Sequence, residues 1–161
     1  MNKQILFLLI TLGVVFKAFP QMQHGIVPVN ASAPALIELY KPTNLDKIFI
    51  KAKKENKPIF IYCYVSHCDR CSFMKKNILT NDTLGEFYND KFICLFIDME
   101  KKDGIKLAKK YEIKCNLNPV CVFLSKEGDL LCKKTGILLM PDLIEIGAKI
   151  IAEADEKQTV K

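Results

Sequence analysis

The run Ile59-Phe60-Ile61-Tyr62-Cys63-Tyr64-Val65 constrains this chain most, because it leads almost directly into Cys68-Asp69-Arg70-Cys71. An unbroken apolar run rich in β-branched and aromatic residues reads as a central strand covered on both faces. The residues after Cys68 read as a helix, so the strand delivers the first cysteine to a helix N-terminus. Two thiols three apart on one helical face have Cβ atoms roughly 5–6 Å apart, within reach of a disulfide after small adjustment. Unpaired N–H groups and the macrodipole at a helix start favour the thiolate, which is the reactive form. Such a pair can cycle between dithiol and disulfide, with Cys68 exposed and Cys71 one turn inside.

The 161 residues, half of them hydrophobic, suffice for one domain with a real core and short tails. Residues 1–20 combine a basic start at Lys3 with a short apolar stretch from Ile5 to Phe16, the pattern of a secretory signal or an N-terminal anchor. Localisation is therefore expected to be exported, periplasmic or secreted, with membrane contact only through an uncleaved N-terminal segment. The formal charge of +6 is mild and its lysine doublets are dispersed without interleaved aromatics. This reads as a solvated surface and argues against nucleic-acid binding. Of the seven cysteines, Cys63, Cys94 and Cys121 fall inside apolar strands and read as packing residues. Cys115 and Cys132 lie nearer loops, where they offer a second bridge or, for Cys115, an extra thiol beside the pair.

Residues 21–42 form a proline-punctuated leader, with an edge strand expected over 35–40. The domain spans 43–152. Its first helix is capped by Thr43 or Asn44 and carries Leu45, Ile48, Phe49 and Ala52 on one face. A capping box at Thr83-Leu84-Gly85-Glu86 starts a short helix, and a second buried strand runs from Phe92 to Ile97, parallel to the first by a right-handed crossover. A helix over 103–111, a buried strand at 120–124, a turn at 126–129 and an antiparallel strand over 130–135 follow. The last helix opens with Pro141, and a polar, fraying tail covers 153–161.

In this order, Lys57-Pro58-Ile59-Phe60, the CxxC, Ala108-Lys109-Lys110-Tyr111-Glu112-Ile113 and Phe123-Leu124-Ser125-Lys126-Glu127-Gly128 resemble the exported, CxxC-containing subgroup of the thioredoxin-like family. The resemblance implies an α/β fold with a central mixed sheet of four to five strands flanked by helices. It implies catalytic Cys68 and Cys71, and a cis Pro119 whose preceding residue, Asn118, binds extended substrate through its backbone. The chain departs from the family pattern at the site. The family's tryptophan before the first cysteine is His67, and its Gly-Pro is Asp69-Arg70. Its buried acid six residues before the first cysteine is Tyr62, and the lysine that partners that acid is replaced near Cys94. His67, Asp69 and Arg70 are thus the residues expected to modulate the sulfurs; Arg70 favours the Cys68 thiolate and Asp69 opposes it.

The leading functional expectation is an exported thiol–disulfide oxidoreductase, its direction open, in which Cys68 attacks and Cys71 resolves. Its partners are protein thiols and disulfides and a membrane electron donor, with no cofactor. Two alternatives remain. One is a thioredoxin-like binding or chaperone domain with a static disulfide. The other is a metal module on His67, Cys68 and Cys71, against which stand the adjacency of His67 and Cys68 and the lack of a second CxxC; Ser72 after Cys71 excludes the covalent haem pattern.

Overall fold

The computed structural model describes residues 45–159. The N-terminal segment, the leader, the strand expected at 35–40 and the cap at Thr43 or Asn44 lie outside the described residues. Helix α1 (Leu45–Glu55) leads to strand β1 (Ile59–Tyr64), then helices α2 (Asp69–Asn77) and α3 (Asp82–Lys91). Strand β2 (Ile93–Asp98), helix α4 (Lys102–Tyr111), the hairpin strands β3 (Val120–Leu124) and β4 (Leu130–Thr135), and helix α5 (Met140–Thr159) complete the order.

The sheet runs β2-β1-β3-β4, with β1 and β2 parallel and the other two pairings antiparallel. This is the expected mixed sheet, with four strands among the described residues. Strands β1, β2 and β3 are buried almost throughout, which explains their unbroken apolar sequences: helices cover both faces. On one face Phe60, Tyr62, Cys94, Phe96, Cys121 and Phe123 pack with residues of α2, α3 and α5. On the other, Ile59, Ile61, Leu95, Val122 and their neighbours pack with α1 and α4. Strand β4 is largely exposed, as an edge strand.

Two glycines make this arrangement possible. A Cβ on Gly104 would lie 2.2 Å from the carbonyl oxygen of Asp98, so only glycine lets α4 start against the end of β2. Gly128 turns the hairpin with φ +95°, a conformation that carries no penalty for glycine alone.

Three local expectations need correction. The short helix is capped by Asn81, whose side chain accepts from the Leu84 N–H at 3.1 Å, and not by Thr83. Asparagine is among the best N-caps, and its position lets the helix begin early enough to bury Leu84 and Tyr88. The tail expected from 153 continues as helix to Thr159, because Ala-Glu-Ala-Asp-Glu-Lys-Gln contains no breaker. The cis peptide expected at Asn118–Pro119 is trans, since no described peptide bond is cis. The trans isomer is the intrinsically preferred one for an X-Pro bond. It is compatible here with Pro119 opening β3, where its carbonyl accepts from the Gly136 N–H at 2.8 Å.

Candidate active site

Strand β1 ends at Tyr64, and a short exposed turn through Ser66 and His67 leads to Cys68. Cys68 is the N-cap of α2: its backbone is extended and its sulfur accepts from the Cys71 N–H at 3.0 Å. Cys68 and Cys71 are joined in a disulfide with Cα atoms 5.2 Å apart. The cap therefore places both sulfurs at the positive end of the helix dipole, as the spacing implied.

Exposure differs from expectation. Cys68 is 2% exposed and Cys71 3%, so the first cysteine is no more open than the second. Both pack into the aromatic layer with Met74, Tyr62 and Phe96, and this burial removes the asymmetry that the sequence predicted.

Beneath the pair lies Tyr62, at the position where the resemblance expects a carboxylic acid. Its hydroxyl donates to the Cys71 carbonyl at 2.8 Å, and its ring lies 4.7 Å from that of Phe96. Burial first, and then the neighbouring Cys121, Cys115 and Cys63, raise the phenol well above its usual range. It stays protonated and neutral. Where the family's lysine is missing, Cys94 contacts the Tyr88 carbonyl through its sulfur at 3.6 Å.

The residues between and around the cysteines make two ties to other loops. Arg70 donates from its guanidinium to the Asn118 side-chain oxygen at 2.6 Å, which links the CxxC turn to the segment before β3. The Asn118 side chain is thus tied to Arg70, while its backbone carbonyl accepts from the Cys115 thiol at 3.2 Å. Pro119 follows it, buried. On the other side, the Glu100 carboxylate accepts from the Ser66 N–H at 2.9 Å. Hydrogen bonding from Ser66, its largest influence, holds Glu100 below its usual range, and neighbouring His67 adds to this. His67 itself is exposed, as is Asp69.

Cys115 packs with the aliphatic layer on the opposite face from the pair and also donates to the Cys63 carbonyl at 3.5 Å. Both Cys115 and Cys132 are free thiols. Burial pushes the thiols of Cys63, Cys94 and Cys121 far up and that of Cys115 up, so these four are held protonated and weakly reactive. Two participants escaped the sequence reading. Glu100 lies 34 positions from the backbone group it holds, and Tyr62 was visible only as a missing acid; no local pattern signals either contact.

A thioredoxin-like family model matches residues 41–126. Spermatogenesis-associated protein 20 of Mus musculus is 34% identical over 82 residues, which cover 48% of this chain and 10% of that protein. The chain thus spans about a tenth of the length of the curated relatives it matches. Among solved structures, a thioredoxin from Thermus thermophilus superposes with a TM-score of 0.60 at 16% identity, covering 68% of this chain and 85% of that one. A putative disulphide-isomerase from Bacteroides thetaiotaomicron gives 0.56 at 25% identity, covering 65% and 88%.

Proposed function

The chain belongs to the thioredoxin-like family, and from that premise we propose that it is an exported enzyme exchanging its Cys68–Cys71 disulfide with protein thiols and disulfides. The observation that carries this reading is the disulfide closed at the N-terminus of α2, directly after the central strand β1. In the reducing direction the Cys68 thiolate attacks a substrate disulfide. One substrate sulfur leaves, and Cys71 then displaces the other from the mixed disulfide. Two electrons pass to the substrate, and the reverse sequence oxidises a dithiol. A small change in the relative stability of the two forms sets the direction, since about 30 mV corresponds to only ~1.4 kcal/mol. In the reducing direction an exported protein needs an electron donor at the membrane, reached from the apolar N-terminal segment or in solution.

The test is reduction of insulin disulfides by the full chain with a thiol reductant, alongside Cys68→Ser and Cys71→Ser. Cys71→Ser should accumulate mixed disulfides through Cys68, and Cys68→Ser should be inactive. Adducts through Cys71 would reverse the roles. A reporter active only outside the cytoplasm, fused to residues 1–20, should give signal; a cytosolic reporter would remove the export reading.

The burial of both sulfurs favours a second reading, a static structural disulfide in a binding domain. A pair that stays oxidised at potentials below about −300 mV, as structural disulfides do, and shows no insulin reduction would establish it.

A further inference from the structure

Resting on the exchange reading above, we propose that Tyr62 is the positioning residue of the resolving cysteine: it fixes the Cys71 backbone as a donor, and the proton of Cys71 therefore leaves to solvent. Both backbone polar groups of Cys71 are held within the site. Its N–H donates to the Cys68 sulfur at 3.0 Å, and its carbonyl accepts from the Tyr62 hydroxyl at 2.8 Å. Tyr62 is itself fixed, since β1 pairs on both sides and the hydroxyl is fully buried. A neutral phenol whose proton is committed to a carbonyl is no base, so it cannot take the proton that Cys71 must lose.

Among the described residues the buried surroundings supply no substitute. Cys63 of β1 and Cys115 of the loop before β3 lie on the opposite face of the sheet from Tyr62, while Cys121 of β3 shares its face; burial holds all three thiols protonated. From β2 and α3, Cys94 and Tyr88 on the same face are likewise held protonated. On α2, Asp69 and Arg70 are exposed, and the Lys75 ammonium lies over the Phe96 ring at 5.3 Å. His67 and Glu100 are exposed before the pair, and Asp98 acts on Tyr64. Among the described residues no carboxylate, histidine, lysine or arginine side chain is buried.

In resolution the Cys71 thiol first gives its proton to water or hydroxide. The Cys71 thiolate then attacks the Cys68 sulfur of the mixed disulfide, the Cys68–Cys71 bond forms, and the second substrate sulfur leaves as a thiolate. Because only the thiolate attacks, the rate of this step follows the ionisation of Cys71 alone.

Mixing the reduced full chain with equimolar 5,5′-dithiobis(2-nitrobenzoate) in a stopped-flow instrument separates the steps. The first coloured thiolate reports attack by Cys68 and the second reports resolution by Cys71. The second release in the wild type should rise about tenfold per pH unit until Cys71 is ionised. Tyr62→Phe should slow it about fivefold, the rate equivalent of one hydrogen bond of ~1 kcal/mol, with the slope retained and the first release unchanged. Tyr62→Asp should flatten the slope by adding a second titrating group. A pH-independent second release in the wild type, or an unchanged one in Tyr62→Phe, overturns the proposal. If Tyr62→Phe does not fold, the wild-type profile decides alone. Loss of the first release in the wild type would instead sink the exchange reading.

Discussion

The two faces of the sheet are filled by different chemistry. The face carrying the disulfide is aromatic: Phe60 lies 4.8 Å from Tyr88 and 5.1 Å from Phe123, and Tyr62 lies 4.7 Å from Phe96. Two of its tyrosines donate to carbonyls of the helices above, Tyr62 to Cys71 and Tyr88 to Leu143, both at 2.8 Å. The opposite face is mainly aliphatic, with Ile59, Ile61, Leu95, Ile97 and Val122. Aliphatic packing holds a helix by burial, which is non-directional. A buried phenol also fixes the position of the helical turn above it, as a hydrogen bond requires. The face that holds the two sulfurs uses this directional device twice, and the opposite face once, where the buried Tyr111 hydroxyl donates to the Gly128 carbonyl at 2.8 Å. The face that closes the core relies chiefly on burial.

Truncation of the aliphatic face should have the largest effect on stability. Ile61 is 1% exposed in the central strand, and Ile61→Ala leaves a cavity costing ~2–5 kcal/mol. Chemical denaturation should show that loss, while exchange per folded molecule stays at the wild-type level. A comparable loss of exchange would mean that the two faces are not separable.

Tyr88→Phe sharpens the contrast within the aromatic face. It removes the bond to the Leu143 carbonyl and should cost ~1 kcal/mol of stability. The rate of resolution at Cys71 should not move, because Tyr88 ties α5 and not α2. A slowed second thiolate release in Tyr88→Phe would show that the aromatic layer acts as one unit and that Tyr62 has no special place in it.

How far the sequence reveals this contrast depends on the range of the interaction. Strands β1, β2 and β3 announce themselves because burial on both faces leaves them wholly apolar, and the CxxC announces itself because its spacing is local. The parallel β1–β2 pairing follows from the helices between them. Asn81 and Thr83 are both good caps by residue type, and the sequence alone does not choose between them. The burial of Cys68 has no local signal, because the layer it joins also takes residues such as Phe96, Cys121 and Leu143 from far along the chain. Family likeness implies a cis bond at Pro119, whereas the bond is trans. The Arg70–Asn118 and Ser66–Glu100 contacts join positions 48 and 34 apart, and no periodicity encodes such pairs.

The rim of the disulfide-bearing face is expected to matter less to stability than its floor. Arg70→Ala removes the exposed bond to Asn118, worth ~1 kcal/mol or less. Freeing the segment before β3 from the CxxC turn should speed alkylation of Cys68 in the reduced protein, measured by mass spectrometry against time. Unchanged labelling would show that this contact does not restrict access to the sulfur.

The smallest effect is expected at Glu100, whose carboxylate is fully exposed yet anchors the Ser66 N–H ahead of the pair. Its folded pKa lies below the ordinary 4.5 because Ser66 donates to the charged form. A depressed carboxylate adds stability above its unfolded pKa and loses it as the pH falls through the folded value. Wild type should therefore exceed Glu100→Gln by a small margin at neutral pH, and the margin should close below pH 4.5 as the carboxylate takes up its proton. High salt should narrow the part of the margin that comes from His67 and Lys101, since exposed charges are screened, and should leave the hydrogen bond to Ser66. Denaturation of both proteins across this pH range provides the measurement. A margin that stays constant through the acid range would mean that the amide serves the Ser66 N–H as well as the carboxylate does, and that the turn is held by geometry alone.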